Sequence, residues 1–139
     1  MNEHRFLMRL FCRYEDPDNS VADLKVELCV DDEWQVFDLN DHSSGFLIFV
    51  FAVFNCQHMY MRLNCAERGL MLESATGAID VAAGEDWIMR KLHVHFDARL
   101  KSGSPVDDDV IYIVERMRQC PVSVNLKDIA DSKTEIHLD

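Results

Sequence analysis

Nine consecutive apolar residues, Phe46 to Phe54, limit what this chain can become. The run is too short to cross a bilayer, which takes roughly 20 residues, so other parts of the chain must bury it. Its Phe, Val and Ile favour strand by propensity. Length decides for helix: Asn55, His58 and Arg62 continue a polar stripe at helical spacing, well past strand length. Ser43 or Ser44 can cap the start and Gly69 can stop the end. The segment is expected to be one long, mostly buried helix, and the rest of the chain must supply the surface that covers it.

That surface reads as strands. Arg5 to Tyr14 alternates apolar with basic residues, apart from Leu7 and Phe11. After a turn at Asp16-Pro17-Asp18-Asn19, Val21 to Val30 places Ala22, Leu24, Val26, Leu28 and Val30 on one face and Asp23, Lys25 and Glu27 on the other. Asp31-Asp32 turns the chain into Trp34 to Leu39, which completes an antiparallel meander. Beyond the helix, Leu70 to Val81 and Trp87 to Leu100 are two further strands about a turn at Ala83-Gly84-Glu85-Asp86. In the second, Ile88, Leu92, Val94, Phe96, Ala98 and Leu100 are expected to point inward, while Lys91, His93, His95, Asp97 and Arg99 point out. Ser104-Pro105-Val106-Asp107 starts a helix, and Val106, Val110, Ile113, Val114 and Met117 form its stripe. Pro121 ends it and is expected to open another helix to about Ala130, before a closing edge strand at Thr134 to Leu138. The expected fold is one α+β domain spanning 1–139: antiparallel strands, a long buried central helix and a C-terminal helix pair.

The net charge of −11 disfavours binding to nucleic acid or an anionic membrane, since both need a basic surface. Five cysteines, with no CxxC pair and no regular spacing, do not read as a secreted disulfide framework. Glu3, Arg5 and Arg9 interrupt the apolar residues of the N-terminus, so no signal-peptide core is evident there. A cytoplasmic setting with reduced thiols is expected.

On the long helix, Cys56 shares a face with Phe49, Val53, Met59, Tyr60 and Leu63, and alone it would read as core. Cys65 lies half a turn out of phase and about 13 Å along, too far for a disulfide with Cys56 in an intact helix. Cys12 and Cys29 sit in strands with nothing reactive beside them and read as filler. Cys120 differs. With Pro121 following, it is placed as an N-cap, where free N–H groups and the positive end of a helix favour a thiolate; a structural cysteine at a helix junction is the equal alternative.

Cys120-Pro121-Val122-Ser123, continued by Asn125-Leu126-Lys127, together with the order of elements and the 64-residue spacing from Cys56, resembles the OsmC-like family, which includes the organic hydroperoxide resistance proteins. The resemblance implies an intertwined homodimer with two sites at its interface and no cofactor. It makes Cys56 the peroxidatic thiol, oxidised by a peroxide to a sulfenic acid, and Cys120 the resolving thiol that condenses with it. A dithiol would then reduce the disulfide. Phe49, Val53, Met59 and Tyr60 would form an apolar wall suited to an organic hydroperoxide. Catalytic members also use an N-terminal Arg held by a Glu near the start of the first Cys helix. Here Ser43 to Asn55 contains no carboxylate, the nearest acid upstream is Asp41, and Arg5, Arg9 and Arg13 all stand in the N-terminal segment. The alternative reading keeps fold and dimer but makes the protein a small-molecule binding or thiol-sensing module.

His93 and His95 project two imidazoles to one side of a strand, about 6 to 7 Å apart, with Asp97 beyond them. A solvated strand face is the simpler reading than a metal site. Gly-rich phosphate loops, a Gly-x-Ser-x-Gly elbow and a His-Glu-x-x-His pattern are missing from the sequence.

Overall fold

The computed structural model describes residues 3–139. Its elements are β1 (His4–Glu15), β2 (Ser20–Val30), β3 (Glu33–Val36), α1 (Gly45–Glu67), β4 (Met71–Ala83), β5 (Met89–Ser102), α2 (Asp107–Arg118) and β6 (Asp131–Leu138). The strands form one sheet in the order β3-β2-β1-β4-β5-β6. The meander is present, but β3 stops at Val36 and does not reach Leu39. Its hairpin turns at Asp31 and Asp32, both with left-handed φ (51° and 64°), as a two-residue turn matched to strand twist requires.

The α+β class holds, with one correction to the expected topology: the sheet is mixed. β6 pairs with β5 in parallel, from Lys91↔Asp131 to Ala98↔Leu138. The cause is α2, which carries the chain back across the sheet so that the next strand enters in the same direction as β5. The start of α2 also moves. Its cap is Val106, not Ser104, because the Asp109 carboxylate accepts the Val106 N–H (3.0 Å) and closes the first turn there. The second member of the expected helix pair is a single 3₁₀ turn, Ser123–Asn125. The Asn125 amide donates to the Pro121 carbonyl (2.9 Å), and the chain from Leu126 is committed to reaching β6.

α1 begins where Ser44 Oγ accepts the Leu47 N–H (3.2 Å) and ends before Gly69, whose φ is +73°. Val50, Val53, Phe54, Met61 and Cys65 bury one face against Met8, Leu10 and Cys12 of β1, Ile79 and Val81 of β4, Phe96 of β5, and Ile113 and Met117 of α2. The helix is not mostly buried, however: Ile48 (42%), Met59 (40%) and Leu63 (42%) are exposed on the side away from the sheet. His58, expected on a polar stripe, turns inward, stacks on Phe96 and meets Tyr14 Oη at 2.7 Å. β2 departs from its reading in the same way. Its apolar face is uncovered at Leu24, because α1 lies over the other strands.

Candidate functional site

Cys56 stands midway along α1, and Cys120 comes directly after Gln119, the last residue of α2's cap. Packing of α1 against α2 and the turn after it brings the two thiols close enough to interact. Both are free, Cys120 fully buried and Cys56 half-buried. Burial, chiefly, raises the Cys56 pKa to about 11; a hydrogen bond with Cys120 and the charge of that thiol add to it, and the backbone of Val122 opposes them.

Cys120 is held tightly. Its Sγ accepts the Ser123 N–H (3.3 Å) and donates to Ser123 Oγ (3.1 Å), as a capping side chain would. The chain beyond Pro121 makes only one short turn, so the helix macrodipole expected to act on this thiol is missing. In its place stands a buried polar chain: Gln57 Nε2 donates to Ser123 Oγ (2.9 Å), and Thr134 Oγ1 donates to Gln57 Oε1 (3.2 Å). The site is therefore assembled from α1, the Pro121 turn and β6.

Gln57 and Thr134 were missed at the level of sequence. A signal for Gln57 existed, since it falls at helical spacing with Val50, Phe54 and Met61, where a polar side chain must find a buried partner. Thr134 gave none, because its partner is 77 residues away.

The three N-terminal arginines do not face Cys56. Period-two alternation in β1 points Met8, Leu10, Cys12 and Tyr14 into the core, so Arg5, Arg9 and Arg13 project from the opposite face of the sheet. There Arg5 binds Asp80 (3.1 Å), Arg9 binds Glu27 (2.8 Å) and Arg13 approaches Asp23 (3.9 Å). Hydrogen bonding to Arg9 holds the Glu27 carboxyl below its usual range. Arg116, one turn before Cys120, is engaged by Asn64 (3.4 Å) and by the Tyr60 ring. Around Cys56, Val53 is turned into the core, while Phe49 and Tyr60 are half-buried and Met59 is exposed.

The remaining candidates are explained by packing. Cys65 is buried 3.9 Å from Met61 Sδ, and Cys12 is buried in the sheet core. Burial raises both thiols, Cys65 to about 12. His93 meets Asp131 (2.7 Å), and His95 lies between Asp97 (3.1 Å) and Glu135 (3.8 Å). Among the described residues no three His, Cys, Asp or Glu side chains converge to hold a metal ion. A shallow cavity of about 560 Å³ lies on the outer sheet face between Phe11, Arg13, Lys25, Thr76, Asp97 and Arg99, and neither Cys56 nor Cys120 lines it.

No protein-family model and no curated protein matches the chain. Solved structures do match. An OsmC-like protein from Vibrio cholerae is 12% identical, with 99% of each chain covered and a TM-score of 0.52. An OsmC-like protein from Mycoplasma pneumoniae is 9% identical, covering 93% of this chain and 94% of its own, with a TM-score of 0.52. An OsmC-like hydroperoxide resistance protein from Jannaschia sp. is 12% identical, covering 88% and 86%, with a TM-score of 0.54. The fold of this chain is the OsmC-like fold.

Proposed function

We propose that this OsmC-like chain is a thiol redox module in which Cys56 and Cys120 cycle between dithiol and disulfide. The observation that carries the reading is their unequal exposure at one contact: Cys56 is half-buried and meets an oxidant first, while Cys120 waits behind it fully buried. The Cys56 thiolate attacks the distal oxygen of an organic hydroperoxide, the O–O bond breaks, and the alkoxide leaves to take up a proton as an alcohol. Cys120 then attacks the sulfenic sulfur, and hydroxide leaves with the Cys120 proton as water. An external dithiol returns both thiols and is itself oxidised to a disulfide.

The geometry favours slow sensing over rapid turnover. Among the described residues of its own protomer no arginine faces Cys56, since the N-terminal arginines lie across the sheet, and its thiol is raised rather than lowered. Phe49, Met59 and Tyr60 suit a small apolar oxidant. In this reading the chain works in the cytoplasm as a homodimer, needs a dithiol reductant, uses no cofactor and engages neither nucleic acid nor membrane. A second reading, rapid organic hydroperoxide reduction, is favoured by the fold it shares with the Jannaschia hydroperoxide resistance protein.

One experiment separates the readings. The reduced protein is treated with stoichiometric cumene hydroperoxide, peroxide loss is followed in time, and disulfides are mapped by mass spectrometry. A Cys56–Cys120 bridge forming over minutes is the expected result. The same bridge within milliseconds to seconds assigns the peroxidase, and unchanged thiols rule out both readings.

A further inference from the structure

Ser123 also lines a second cavity, about 230 Å³, that neither Cys56 nor Cys120 reaches. Arg118 and Lys127 stand at it with Ser132, Thr134 and Gln57, and no carboxylate lines it. Among the described residues neither Arg118 nor Lys127 forms an ion pair. In a chain where acids outnumber Lys and Arg by 25 to 14, an acid-free cavity holding two unpaired cations runs against composition.

The hydroxyl pattern points the same way. Ser123 Oγ already receives the Gln57 N–H and the Cys120 S–H, so among the described residues its own proton has no acceptor and is free for the cavity. The Ser132 hydroxyl likewise has no side-chain partner at this mouth. Two cations and two hydroxyl donors with no competing acid are the donor set of a small oxyanion.

We propose that this cavity binds a small oxyanion, a phosphate or a carboxylate, and that its occupancy holds Cys120 as a thiol. Ser123 has one hydroxyl proton. While Cys120 is protonated, that proton goes to the anion. A Cys120 thiolate, which keeps the Ser123 N–H, would draw the same hydroxyl proton as its second hydrogen-bond donor. Anion and thiolate therefore compete, and occupancy slows every reaction of Cys120 that passes through the thiolate. The site itself does not depend on a Cys56–Cys120 disulfide forming.

The test titrates the full chain with inorganic phosphate, and separately with acetate, against chloride at equal ionic strength, reading backbone amide shifts by NMR. Saturable shifts at Ser123 and Ser132 are expected with at least one anion; stronger phosphate binding identifies a phosphate site, and stronger acetate binding a carboxylate site. Arg118→Gln and Lys127→Gln, both at exposed positions, should each weaken binding about tenfold, while Arg13→Gln, on the opposite face of the sheet, should not. At saturation, iodoacetamide labelling of Cys120, read by mass spectrometry, should slow several-fold with Cys29 unaffected, and Ser123→Ala should abolish the slowing. Absence of saturable binding by either anion, or binding unchanged in Arg118→Gln and Lys127→Gln, overturns the site. Saturable binding with no slowing at Cys120 overturns the coupling.

Discussion

Cys56 has a pKa of about 11, and at pH 7 such a thiol is ionised to about one part in ten thousand. Its alkylation by iodoacetamide should therefore climb about tenfold per pH unit from 7 to 10, because thiolate is the reacting form and rises with pH. A plateau below pH 8, measured on the Cys56 peptide by mass spectrometry, would contradict the geometry. His58 carries a different pH dependence. Burial first, and the Arg62 charge second, push its pKa down to about 4, so the folded protein keeps the ring neutral where the unfolded chain protonates it. Its contribution is complete above the unfolded value of about 6.5 and is lost as pH falls toward 4, by up to about 3 kcal/mol. Urea titrations at pH 7 and 4.5 should show this loss, and His58→Gln should remove most of it.

At the level of elements, β4 makes room for β5 at one residue. Gly77 pairs with Leu10 on β1 and Phe96 on β5, and a Cβ there would run into the Phe96 ring, which also stacks on Phe54 and His58. Gly77→Ala should cost about 1 to 3 kcal/mol by overpacking, read from the urea midpoint, and Phe96→Leu in the same chain should recover part of it. Periodicity made most of these elements legible. The alternation of β1, β2, β4 and β5 and the length of α1 appear in the sequence, and the pairing of Cys56 with Cys120 came from the family resemblance. Periodicity could not supply which faces are covered. Cys56 read as core among apolar neighbours, yet that side of α1 is the open one, and Cys65, half a turn away, is the thiol in the core. The helix expected after Pro121 failed for a local reason and a distant one: the Asn125 side chain bonds the Pro121 carbonyl within the turn, and the chain beyond Leu126 must reach β6.

The whole molecule leaves apolar surface on the helix side of the sheet at Leu24, Ile48, Met59 and Leu63, with Phe37 and Phe51 stacked beside it. Exposed apolar residues gathered on one side mark an interface. α1 has the length and composition of a membrane span, but Gln57, His58 and Asn64 are buried and hydrogen-bonded to Ser123, Tyr14 and the Tyr60 carbonyl, and a span would have to break the first two bonds. A second copy of this chain would cover the open face at no such cost, and that is the occupant the proposed homodimer supplies. Light scattering on the eluting protein should then give twice the 16.1 kDa of one chain, and Leu63→Glu should return it to the single-chain mass with its circular dichroism unchanged. A wild-type protein that remains at the single-chain mass at tens of micromolar would remove the dimer from the reading. Dimerisation also bears on the thiols, because Cys56 lies on the same side of α1 as Met59 and Leu63. If a partner closes that side, Cys56 in Leu63→Glu should alkylate several-fold faster than in the wild type at the same pH, while Cys65, buried against the sheet, should not change.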